Sequence, residues 1–136
     1  MPVTRDHYVP DQLDIRRVDG VPVYSHAVSV SGGTRTIHIA GQLGRDANGN
    51  VVGRGDKRRQ FEQTHENLKI ALAAAGATMA DVVQTVTYTT DIEALFACVD
   101  VRLAWYGDRL PTSTTVEVRR LAHPDLMVEV SAIAVV

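Results

Sequence analysis

Residues 126–136 read LMVEVSAIAVV, an almost wholly apolar run dominated by β-branched valine and isoleucine. Such a run is a strand whose side chains alternate between two sheet faces, and both faces here want cover. One residue breaks the pattern. Glu129 lies inside the run, sharing its face with Met127, Ser131 and Ile133, and carboxylates are rarely buried without a partner.

Working back from this strand, LPTSTTVEV at 110–118 is a second strand opening on a proline and four hydroxyl residues. Before it, Ile92, Leu95, Phe96, Val99, Leu103 and Tyr106 recur at helical spacing and form one apolar stripe. VVQTVTYTTD alternates as a strand. Upstream, Phe61, Leu68, Leu72 and Ala75 mark one face of a helix that Asp56 caps and Gly76 ends. YSHAVSVS and TRTIHIAGQL flank Gly32-Gly33 and read as a hairpin, with VVG after the DANGN turn as a short further strand. Residues 1–21, interrupted by Pro2 and Pro10, read as an irregular arm, and 22–136 as one domain. The order is ββ(β)αβαββ, an α+β fold whose sheet of five to six strands carries two helices on one face. Two helices leave the second sheet face bare; self-association is the economical cover, and loops or the N-terminal arm are the alternative.

Composition limits the function classes. A chain of 136 residues has room for one core, and a net charge of −2 creates no field drawing it to nucleic acid or a membrane surface. The N-terminal segment lacks the apolar run of a signal peptide, and the lone cysteine, Cys98, fits a reducing compartment, so a cytoplasmic location is expected. No metal-ligand spacing joins the five histidines, and no nucleotide loop or G-x-S-x-G elbow is present; neither metal nor organic cofactor is expected. Cys98 has no cation beside it in sequence to activate it and reads as structural. Arg54, Lys57, Arg58 and Arg59 gather at a helix start without interleaved aromatics, which reads as a solvated loop. Glu129 is left with two readings. It is either a general acid–base in a cleft or one half of an ion pair with Arg109, Arg119 or Arg120.

The segments PVYSHAV, IHIAGQLGRDANGNVVG, QTHENLKIALAAAGA, DVVQTVTYTTDI, VDVRLAWYGDRLPTSTTVEVRRL and MVEVSAIAVV together resemble the Rid family of reactive intermediate deaminases. These are also called YjgF-like and were formerly described as L-PSP endoribonucleases. The resemblance runs from about Pro22 to the C-terminus. It implies the chorismate-mutase-like sheet, a homotrimer with a small-molecule cleft at each subunit interface, and cofactor-free hydrolysis of enamines and imines to a carbonyl product and ammonia. By position in the motifs, it implies Glu129 as the catalytic residue that holds water. Tyr24, Gly41, Tyr88, Asp100, Ser113 and Thr115 are implied around the substrate, while Ala40 stands where many members have serine.

This sequence departs from the family at two of those positions. Deaminases carry P-A-R-S-x-V, where the arginine grips a substrate carboxylate; here Pro111-Thr-Ser-Thr-Thr-Val116 puts Ser113 at that place. Asp100 replaces a usual asparagine. A fixed cation is exchanged for a neutral hydroxyl, and a carboxylate is added. The expected substrate is therefore neutral or larger, not 2-aminoacrylate. The alternatives are a trimer that binds a metabolite or stabilises a partner without catalysis, and an endoribonuclease, for which His26 is the only candidate base.

Overall fold

A computed structural model describes residues 2–136. The strands are β1 (Thr4–Tyr8), β2 (Arg17–Val18), β3 (Val21–Pro22), β4 (Ala27–Ser31), β5 (Thr36–Leu43), β6 (Val82–Thr89), β7 (Thr112–Glu117) and β8 (Val128–Val135). The helices are α1 (Lys57–Ala74), α2 (Ile92–Phe96) and α3 (Val99–Tyr106). The main sheet runs β5-β8-β6-β7. The apolar run 126–136 thus becomes β8, a central strand antiparallel to both neighbours. β6 and β7 are parallel, and α2 and α3 make the crossover that a parallel pair requires.

Alternation along β8 sorts its side chains. Val128, Val130, Ala132 and Ala134 are buried against Phe61, Leu68 and Leu72 of α1, and Leu95, Val101 and Tyr106 of α2 and α3 complete this core. The opposite set, Glu129, Ser131, Ile133 and Val135, stays half-buried on a face that no helix covers among the described residues. The α+β class with helices on one face is what the sequence pattern demands. α1 also begins and ends as read: the Asp56 side chain accepts from the Arg59 amide at 3.0 Å, and Gly76 turns the chain out at φ 80.

Four details differ from the sequence reading. The main sheet has four strands, and β4 pairs with β1 in a separate ribbon, not with β5. At the Gly32-Gly33 turn the Thr34 and Arg35 amides both donate to the Val136 carbonyl, at 2.7 and 2.9 Å. The chain end thereby takes the donors a tight hairpin would use. Consequently the N-terminal residues are not wholly irregular: β1 is a strand, and the Arg5 guanidinium reaches Asp81 at 2.7 Å and the Val135 carbonyl. Segment 51–53 makes only one bridge, Val51 to Arg45. The second helix is broken at Ala97–Cys98 into α2 and α3, which turns Cys98 and Val101 into the core and Phe96 outward.

Candidate functional site

A cavity of about 190 Å³ opens between the helix-side face of β6–β7, the α2–α3 break and residues 16–24. The parallel register pairs Thr85 with Ser113 and Thr87 with Thr115, so the hydroxyls of β7 face the same way as the buried threonines of β6. Ser113, Thr115 and Thr87 form the polar wall, and Tyr24 stands at the side. Phe61, Leu95, Phe96 and Val99 line the apolar part. The β7 lip is held firmly. The Ser25 amide donates to the Pro111 carbonyl at 3.2 Å, and the Ser25 hydroxyl to the Leu110 carbonyl at 2.6 Å. His7 of β1 lies on that same carbonyl, Nδ1 at 2.9 Å.

Glu129 is elsewhere. It pairs in register with Leu43 of β5 and Tyr88 of β6, on the sheet face turned away from the helices. Gly41 explains how the carboxylate fits. β5 bulges between Ile39 and Gln42, and a Cβ on Gly41 would lie 2.7 Å from the Glu129 carboxyl carbon and 2.8 Å from its Cγ. Only glycine lets the backbone approach so near. Among the described residues, the Glu129 carboxylate has no hydrogen-bond or ion-pair partner, and neither Arg109, Arg119 nor Arg120 reaches it. The candidate residues therefore fall into two groups on opposite faces: Tyr24, Ser113 and Thr115 in the cavity, and Gly41, Tyr88 and Glu129 on the open face.

Asp100 joins neither group. Its carboxylate takes a hydrogen bond from Arg58 at 2.7 Å on the outer surface of α3, with 67% of the side chain exposed. That bond holds its carboxyl below the usual range. The neighbouring cations are likewise engaged. Arg54 pairs with Asp125 at 2.8 Å, and Lys57 is buried with its ammonium on the Thr89 hydroxyl and the Asp91 carbonyl. The histidines stay apart. His26 reaches the Asp14 carbonyl, His38 lies on the open sheet face, and His65 is packed between Phe61 and Trp105. Burial pushes His65 down to about 4 and pushes the Cys98 thiol up.

Comparison with known proteins gives this arrangement its family. The model of the family described as Endoribonuclease L-PSP matches residues 15–136. The chain belongs to this family, the Rid/YjgF proteins. A RutC family protein of Pyrococcus abyssi is 33% identical over 111 residues, covering 82% of this chain and 84% of that one. A protein of Dermatophagoides farinae named 2-iminobutanoate/2-iminopropanoate deaminase is 30% identical over 113 residues, covering 83% and 85%. Among solved structures, the Rid-family protein of unknown function YyfB from Yersinia pestis superposes with a TM-score of 0.83. It is 35% identical and covers 97% of this chain and 98% of its own.

Three polar residues of the cavity, Arg16, Thr87 and Arg102, are not among the sequence candidates. Arg102 of α3 lines the wall near Ser113 and is only 8% exposed. Its Nε donates to the Val23 carbonyl at 2.8 Å, Nη1 to the Thr85 hydroxyl at 3.1 Å and Nη2 to the Pro111 carbonyl at 3.4 Å. The signal was present. Arg102 stands three residues after Val99 and four before Tyr106, so helical spacing puts it on the apolar stripe.

Proposed function

We propose that this protein hydrolyses the C=N bond of imines, and of enamines through their imine tautomers, to a carbonyl product and ammonia. No metal or organic cofactor takes part in the reaction as proposed. The observation that carries the reading is Glu129: a carboxylate without a partner among the described residues, on a central strand, seated against a glycine, with Tyr88 in register beside it. The names of relatives near 30% identity support the same reaction class.

Glu129 and the β7 hydroxyls lie on opposite faces of one chain, so a cleft combining them draws on two chains. A homotrimer whose open sheet faces pack together supplies that arrangement. It also covers Val86, Ile133 and the half-buried residues around them. In the cleft, Ser113 and Thr115 hydrogen-bond the substrate while Glu129 accepts a proton from water as its oxygen attacks the imine carbon. That proton passes to nitrogen to give the tetrahedral adduct; Glu129 then carries the proton of the adduct's hydroxyl to the amine, the C–N bond breaks, and ammonia leaves as the carbonyl forms. Such proton transfer contributes about 10²–10⁴-fold to rate.

The endoribonuclease reading has less support. Arg54 and Arg58 are neutralised by acidic partners, Lys57 is buried, and His26 is tied to a backbone carbonyl away from Glu129. The test is an imine generated in place from leucine by an amino-acid oxidase. The protein should speed its disappearance and release ammonia, and Glu129→Gln should lose this while still folding. Equal rates for the two proteins would reject Glu129 catalysis. Ligand binding with no turnover on any imine would favour a non-catalytic binder.

A further inference from the structure

At Ser113 and Thr115 the β7 lip offers hydroxyls, yet the cavity is not without charge. Arg102 reaches the same wall from α3. Its Thr85 acceptor is the register partner of Ser113, and its Pro111 acceptor lies two residues before Ser113. The guanidinium therefore enters the cavity at the level where β7 begins.

A guanidinium stays protonated in proteins, so Arg102 is a buried cation, and buried cations are ordinarily paired with an anion. Among the described residues no carboxylate pairs with it, and its three acceptors are two carbonyls and a hydroxyl. Tyr106 lies under it, the guanidinium carbon 5.0 Å from the ring centre. Burial pushes that phenol up to about 12, so it remains neutral and supplies no counter-charge. A guanidinium has five N–H donors. Three are used here, which leaves one on each terminal nitrogen for a further acceptor.

We infer that Arg102 is the residue that reads the substrate carboxylate in this cavity, and that the ligand is a carboxylate bearing an aliphatic or aromatic substituent. Leu95, Phe96, Val99 and Phe61 line the part of the cavity that receives the substituent. At the mouth, Arg16 stacks on Phe96 at 4.3 Å and adds a second cation. The strand gives the hydroxyls and the helix gives the charge. Asp100, turned away and paired with Arg58, does not oppose an anion there. The inference extends the imine-hydrolase reading by naming its substrate class, but the binding it describes stands apart from turnover.

Isocaproate and its neutral counterpart isocaproamide are the probes, titrated by calorimetry into the full-length protein. Isocaproate should bind roughly tenfold or more tighter, the difference between a charge-assisted and a neutral hydrogen-bonded contact. Arg102→Met should abolish the preference. Should that variant fold poorly, Ser113→Asp serves instead, because a fixed carboxylate beside Arg102 should expel isocaproate. Equal affinity of the two probes for the unmodified protein, or no binding of either, overturns the inference. So does a preference that survives in folded Arg102→Met, or isocaproate binding that survives Ser113→Asp. Carboxylate-selective binding without imine turnover would leave Arg102 in this role and reject only the hydrolase. Turnover without carboxylate selectivity would do the reverse.

Discussion

Gly41→Ala isolates the contact that seats Glu129. The new Cβ would fall 2.7 Å from the Glu129 carboxyl carbon and 2.8 Å from its Cγ, where carbon atoms rest at about 3.5–4.0 Å. Gly41 is not in the left-handed region, so alanine meets no backbone penalty of its own. Either the Glu129 side chain moves off the glycine or the strands separate locally, and overpacking of this kind costs about 1–3 kcal/mol. Thermal unfolding should fall by roughly 4 °C for each kcal/mol in a chain of this size. Glu129→Ala removes all three atoms that the methyl would strike. In that background Gly41→Ala should cost nothing, or stabilise slightly by restricting the unfolded chain. The cycle is measured by urea unfolding at one fixed protein concentration, which keeps any association term constant. A coupling of about 1–3 kcal/mol is expected. The same penalty with and without the glutamate would refute the placement of Glu129 against Gly41.

Other consequences follow from buried polar groups. His65 titrates near 4 in the native protein and near 6.5 when unfolded, so the unfolded chain takes up the proton first. Stability is therefore lost as pH falls from about 6.5 to 4, by roughly 3 kcal/mol, and His65→Phe should flatten that part of a stability–pH profile measured by urea unfolding. Lys57→Met removes the ammonium's hydrogen bonds to the Thr89 hydroxyl and the Asp91 carbonyl and should cost about 1–3 kcal/mol in the same assay. Asp100→Asn should leave isocaproate affinity unchanged, because its carboxylate is spent on Arg58 outside the cavity; a clear change would bring Asp100 back to the cleft.

Local pattern made part of this molecule legible. β8 and α1 have periodicities strong enough to announce themselves, and the caps of α1 are residues whose chemistry requires no partner beyond the next turn. The β1–β4 pairing was not legible, because it depends on Arg5 and His7 meeting Asp81 and Leu110 across 76 and 103 residues of chain. The break at Ala97–Cys98 was hidden for a different reason: no proline or glycine marks it. Glu129 stood out as one charge in an apolar strand. Arg102 did not, although it too is a charge on an apolar stripe, since long cationic side chains usually snorkel to solvent and only packing shows that this one does not.

The claim that one catalytic cleft is built from the open face of one chain and the cavity of another is tested most directly by mixing. Glu129→Gln and Arg102→Met chains are each expected to be inactive on the leucine-derived imine. Unfolded together and reassembled, they should recover about a quarter of the unmodified rate if subunits mix at random, because one cleft in four then receives both intact residues. Co-assembled chains that stay inactive, with mixing verified by mass, would contradict a cleft shared between subunits.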